Sequence, residues 1–230
     1  MSDQLIISLE TVPDIAALRA IHKLEGLSDD GVLSASLHLY KQQFGTKELP
    51  IYQQQIISLA VVKCSGANEV SLHCPIELKS EANLLSWFSD LIEKDKSLIS
   101  WDMHARDKPL LNYRLLKHGV ISESFNKLDL LGLKDKLSEG NSNAVADFEG
   151  LSLSLGLPEF EAITQAERTQ CFLKSQLDRV HQSNQIKALN ACAIFKKYQL
   201  MSGAISLADF EMVSKQLGAA INQTQIQNYD

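Results

Sequence analysis

The stretch LIISLETVPD, residues 5–14, decides how the rest of the chain is read. Residues 4–9 read as a buried strand, and Pro13–Asp14 breaks it. An acid carried at a strand end beside a turn is a common means of holding a metal or a phosphate at a sheet edge. Here that end carries a carboxylate at Glu10, while Ser8, two residues earlier, offers only a hydroxyl.

Outward from that strand, residues 28–43 place Val32, Leu33, Leu37 and Tyr40 at helical spacing behind a Ser28–Asp30 start signal. YQQQIISLAVVKCSGANEVSLHC (52–74) reads as two strands joined by a hairpin turn at SGAN. Residues 81–96 form an amphipathic helix with Leu84, Leu85, Phe88, Leu91 and Ile92 on one side. SLISWDM (97–103) is a short strand, and KPLLNYRLLKHGV (108–120) a helix stopped by Gly119. Beyond residue 127 the pattern is almost wholly helical, with loops at SEGNSN and GLPE. A last helix is expected over 205–218, with Ser206 and Asp209 as its cap signature. The order strand, helix, hairpin, helix, strand, helices predicts an α/β fold: a mixed sheet with helices on its faces and a helical C-terminal half. It is expected as a single domain over residues 1–220 with a polar tail over 221–230.

At 230 residues and 45% hydrophobic content, the chain can bury a core of that size as one domain. No apolar run approaches the ~20 residues a membrane helix needs. The N-terminus lacks a basic stretch followed by an apolar one, so the expectation is a cytoplasmic protein without membrane contact. A net charge of −6 argues against a general electrostatic grip on nucleic acid. It leaves room for a metal-dependent nuclease, where bound cations neutralise the phosphate at the point of reaction. Cys64, Cys74, Cys171 and Cys192 show no paired spacing and read as free thiols in a reducing compartment.

SLETVPD (8–14), LPIYQQQIISLAVV (49–62), LISWDMHARDKPLLNYRLLKHGV (98–120) and ALNACAIFKKYQLMSG (188–203) follow one another in the chain. In that order they resemble the predicted 3′–5′ exonucleases related to the proofreading domain of family B DNA polymerases, of the DEDD group with a ribonuclease H-like fold. The likeness runs over most of residues 4–217. It implies a first-strand Asp-x-Glu pair, a third acid in an Asp-x-Pro, and a fourth in a Tyr-x-x-x-Asp on a late helix. Such acids hold two divalent cations, magnesium or manganese, about 4 Å apart for phosphoryl hydrolysis.

Carried over residue by residue, the resemblance divides. Glu10 matches the second acid of the pair and Asp107, two before Pro109, the third. Ser8 stands at the first acid, Lys187 at the fourth, and Ser183 at the tyrosine. Only Glu10 and Asp107 remain to meet a metal, and Lys187 would take a cation's place between them. Asp14, Asp102 and Asp178 are the nearby acids that could substitute, Asp102 the best of them. Arg106 and Lys108 are the candidate phosphate contacts. Trp101 and Tyr113 read as core residues before they read as base platforms. Each assignment has a plainer rival: Asp107 as a helix N-cap, Glu10 as an exposed turn acid, Lys187 as a solvated helix residue.

Against the family's usual pattern, an aromatic-rich segment is shortened to GVISESFNKLD. The glycine-containing loop before the late helix is replaced by PEFEAITQAERTQ. Three functions follow. One is a degenerate exonuclease-like protein without a metal cofactor, associated with single-stranded nucleic acid. Another is an active magnesium- or manganese-dependent exonuclease with a rearranged or single-metal site. The third is a structural subunit that meets a protein partner or a second copy through residues 127–217.

Overall fold

The computed structural model describes residues 3–65, 69–78, 80–92 and 97–226. Strand β1 (Gln4–Pro13) lies mid-sheet, and its alternating side chains divide between two cores. Leu5, Ile7 and Leu9 join one apolar cluster, and Ile6 joins the other, so both faces of the sheet are covered. Strand β2 (Gln54–Ser65) pairs antiparallel with β1, and β3 (Glu69–His73) antiparallel with β2. The hairpin turn expected at SGAN lies outside the described residues beyond Ser65. On the other side of β1, β4 (Ser97–Ser100) and then β5 (Asp129–Gly132) pair in parallel. The order β3-β2-β1-β4-β5, with helices on both faces, is the mixed α/β sheet of ribonuclease H-like type that the sequence predicts.

Helix α1 (Ile15–His22) begins where the strand breaks, and Asp14 caps it by accepting from the Ala17 N–H at 3.0 Å. The Ser28 hydroxyl caps α2 (Asp29–Phe44), which ends at Gly45 with a left-handed φ of 74° that glycine adopts without a Cβ clash. Helices α3 (Glu81–Leu91) and α4 (Lys108–His118) cover the Leu5/Ile7/Leu9 face. Phe88 is fully buried there, edge-on to Phe125, a burial worth about 1.5–3 kcal/mol. After β5 come α5 (Leu133–Ser138), α6 (Phe148–Ser154) and α7 (Gln165–Leu173). The long α8 (Asp178–Met201) and α9 (Leu207–Ile226) then cover the Ile6 face. Among the described residues no helix is long and apolar enough to cross a membrane.

Several elements differ from expectation. The first strand runs on from residue 9 to Pro13, and the helix expected over 81–96 ends at Leu91, with residues 93–96 outside the described residues. Residues 129–132 are a strand rather than helix: four residues are too few for a period to declare itself, and parallel pairing with β4 decides their state. The sequence does not announce helix α1, because its eight residues follow a proline break that reads as a turn. Strand β4 stops at Ser100 instead of residue 103, since the chain coils into a π-helical turn over Met103–Asp107. The last helix continues to Ile226, so the described part of the segment expected as a tail, from 221 to 226, is helical; residues 227–230 lie outside the described residues. Ile221 and Thr224 are buried, and Gln182 donates to the Thr224 carbonyl at 3.2 Å.

Candidate functional site

The strand period puts Ile6, Ser8 and Glu10 on the face that meets α8. At Glu10 the β1–β2 register slips: Glu10 opposes Ser58 and Thr11 opposes Ile56, leaving Ile57 as an extra residue in β2. Bulges of this kind bend the strand and re-aim a side chain. Helix α8 is fixed over this point by the fully buried Asn184. Its Nδ2 donates to the Ser8 carbonyl at 3.1 Å and to Ser58 Oγ at 3.0 Å.

Pairing between β1 and β4 ends at Ile6–Ile99, and the chain then turns away through the π-helical turn. There the Asp107 N–H donates five residues back to the Asp102 carbonyl at 3.0 Å. Such turns recur at functional sites because they push one residue out of helical register. The divergence opens a cleft of about 490 Å³ beside Ser8 and Glu10, lined also by Asp102, Arg106, Asp107, Asp147, Glu149, Phe160, Arg168 and Lys187.

Glu10 is only 6% exposed, and a cationic side chain approaches each of its carboxylate oxygens. Lys187 Nζ, from α8, donates to Oε1 at 2.6 Å, and Arg168 Nε, from α7, lies 3.2 Å from Oε2. Arg168 is held in turn by donating to the carbonyls of Thr11 (3.2 Å) and Ile163 (2.6 Å). The Lys187 ammonium also sits 5.1 Å from the centroid of the Phe160 ring. Glu10 is therefore not an exposed turn acid, and Lys187 is not a solvated lysine.

Asp107 follows a different course from the one expected. Its side chain caps no helix and its backbone is itself helical, so the N-cap reading is set aside. It pairs with its neighbour Arg106 at 3.2 Å instead of Lys187, while Arg106 also donates to the Leu9 carbonyl at 3.4 Å. Burial pushes the Asp107 carboxyl above its usual range. Arg106 opposes that shift, and the nearby carboxylates of Asp102 and Glu10 add to it. A carboxyl whose folded pKa is raised binds protons more tightly when folded, so its contribution to stability falls as pH rises above the unfolded value of about 3.9. Asp107→Asn is accordingly expected to leave unfolding free energy at pH 7 unchanged or raise it by up to about 1 kcal/mol. Urea denaturation checks this, and a loss above about 2 kcal/mol would show that the charged form is the one stabilised.

The other predicted residues scatter. Ser183 is buried and donates to the Glu161 carbonyl at 2.7 Å, outside the cleft lining. The Lys108 ammonium lies 5.4 Å from the Phe125 ring on the opposite face of the sheet, so of the two expected phosphate contacts only Arg106 lines the cleft. Asp102 reaches the rim, 3.4 Å from Lys134. Asp14 belongs to a separate buried ion network, and Asp178 lines another cavity. Trp101 packs on Phe148 at 5.2 Å between centroids, whereas Tyr113 is 46% exposed beside Tyr52 and is no core residue. Sequence reasoning missed Arg168 altogether. Its one local signal is the capping box Thr164–Glu167, which starts α7 at Gln165, three residues before it.

As arranged, these side chains do not fit a pair of divalent cations. Glu10, Asp107, Lys187 and Arg168 sum to zero charge, and both Glu10 oxygens are already engaged. Among the described residues, no three His, Cys, Asp or Glu side chains gather to hold a metal.

The family model described as predicted 3′–5′ exonuclease related to the exonuclease domain of PolB matches residues 46–130 and 124–230. These stretches hold Asp107, Arg168 and Lys187, while β1 with Ser8 and Glu10 precedes them. No curated protein and no solved structure matches the chain. With far more than half of its length matched, the chain belongs to the family of predicted 3′–5′ exonucleases related to the exonuclease domain of PolB.

Proposed function

We propose that this exonuclease-like chain is a degenerate member of its family. In this reading the cleft has exchanged two-metal hydrolysis for an internal ion-pair triad and serves as a nucleic-acid-associated module. The observation that carries the reading is the Lys187–Glu10–Arg168 arrangement, in which two fixed side-chain cations stand where mobile dications would be needed. Ser8 supports it, because a hydroxyl adds no charge to draw a second metal. The proposed ligand is single-stranded nucleic acid, with Arg106 as its phosphate contact in the cleft. Recognition would be local, since a chain of net charge −6 has no general pull on a polyanion. The module would act in the cytoplasm as one domain, alone or with a protein partner or second copy.

Removing Glu10 tests the triad without any substrate. In a metal site lacking its metal, clustered carboxylates repel, and neutralising one stabilises the fold. In an ion-pair triad, the same change strands two half-buried cations. Glu10→Gln is therefore expected to cost about 2–4 kcal/mol of unfolding free energy in urea. Calorimetric titration of the native chain with manganese is expected to give no two-site binding. Tight two-site binding, or a Glu10→Gln variant more stable than the native chain, would favour the active-exonuclease reading with Glu10, Asp107 and Asp102 as ligands.

A further inference from the structure

Cys64, one residue before the end of β2, and Cys192, past the middle of α8, meet inside the apolar layer between sheet and helix. Their Sγ atoms are 3.5 Å apart, and the two residues are 4% and 0% exposed. The helix cannot drift from the strand here, because it is tied on both sides of the contact. Asn184 holds Ser58, and the buried Lys196, four residues beyond Cys192, donates to Gln4 Oε1 at 2.8 Å. Gln4 is the cross-strand neighbour of Cys64. A disulfide needs the sulfurs to close by about 1.5 Å from this contact.

The two thiols are unequal. The hydrogen bond between the two sulfurs holds the Cys64 thiol below its ordinary value against the effect of burial, with the Lys196 ammonium adding to the lowering. The same hydrogen bond and complete burial push Cys192 up.

We infer that Cys64 and Cys192 are an oxidation site, at which a small hydroperoxide converts the two thiols into a disulfide joining β2 to α8. The Cys64 thiolate attacks one peroxide oxygen, and the O–O bond breaks to give a sulfenic acid and hydroxide. The Cys192 sulfur then attacks the Cys64 sulfur. The S–S bond forms, the S–O bond breaks, and water leaves with the Cys192 proton. In sum, two thiols and one hydrogen peroxide give one disulfide and two waters. Neither residue lines the cleft, so the inference stands whatever the cleft binds.

The test treats the full chain with hydrogen peroxide at a level that fully oxidises free cysteine. Remaining thiols are then alkylated under denaturing conditions, and the digest is mapped without reductant. The expected product has lost two hydrogens and shows the Cys64 and Cys192 peptides joined, a link that dithiothreitol reverses. In Cys192→Ala, Cys64 is expected to give a dimedone adduct and no link. Should that variant fail to fold, the native map decides alone. Cys64 and Cys192 recovered alkylated, over-oxidised singly, or joined to Cys74 or Cys171 would overturn the assignment.

Discussion

A chain carrying Ser8→Asp and Lys187→Asp together is expected to remain without tight two-site manganese binding, and adding Arg168→Gln is expected to confer it. Glu10, Asp107, Lys187 and Arg168 sum to zero in the native protein, counted apart from Arg106, which pairs with Asp107. The double exchange brings the set to minus three, but Arg168 still sits 3.2 Å from Glu10 Oε2 and keeps that oxygen from a metal. Even 4 Å from a unit charge, a guanidinium in this setting is worth about 4 kcal/mol at an effective dielectric of 20, and a dication feels more. Removing it should raise manganese affinity by roughly 10²–10³-fold over the double variant, read by calorimetric titration. Arg168 also supports the Thr11 and Ile163 carbonyls, so the thermal midpoint of each variant is measured alongside. Two-site binding by the double variant alone would remove Arg168 from the explanation. Binding by the triple variant without digestion of a single-stranded oligonucleotide would assign the remaining loss to the altered segment before α8.

That Arg168 has to be included marks where the sequence stops speaking. Glu10 and Lys187 are legible because each lies on a long regular element whose period fixes its face: β1 with its twofold alternation, α8 with its helical repeat. Arg168 lies on a nine-residue helix whose position over β1 is set by packing of Ile163 and Phe172 against Val12, a contact between residues some 150 apart in the chain. No local pattern reports such a contact. Asp107 shows the converse. The residue was found, but its environment was not, because a π-helical turn depends on hydrogen bonds five residues apart that no side-chain pattern announces. Strand β5 was read as helix for a related reason. Its four residues acquire their state only from β4. Four of the five strands, the two covering helix pairs and the position of the cleft were legible; β5 and the pairing inside the cleft were not.

The largest effect on stability is expected at Arg114, which the chemistry of the cleft does not use. This side chain is 1% exposed, yet it is charged, and it joins four elements. Its Nη1 lies 2.7 Å from Asp14 Oδ2 at the end of β1, and its Nε donates to Glu81 Oε1 at 2.8 Å while Nη2 pairs with Glu81 Oε2. Glu81 in turn accepts the Ile56 N–H of β2 at 2.6 Å, and Asp14 caps α1. Arg114→Met leaves two buried carboxylates with their backbone N–H donors and the peripheral Lys117 and His118, and is expected to cost about 3–5 kcal/mol in urea denaturation. Arg114→Lys should recover less than half of that, since a single ammonium cannot make the forked pair to Glu81 and reach Asp14 as well. Lys117→Met, whose side chain is 39% exposed, should cost no more than about 1 kcal/mol. The pH dependence follows from Asp14. Burial alone would raise its carboxyl, but Lys117, the Ala17 N–H and Arg114 together hold it below the usual carboxylate range. A depressed folded pKa contributes stability that is present above the unfolded value of about 3.9 and is lost as pH falls through the folded one. The native chain should therefore lose stability on acidification below about pH 4. Arg114→Met should lose less over the same window, because part of that contribution is already gone. An Arg114→Met variant within 1 kcal/mol of the native chain at pH 7 would mean that Lys117 and His118 suffice to hold both carboxylates, and that the guanidinium adds packing alone.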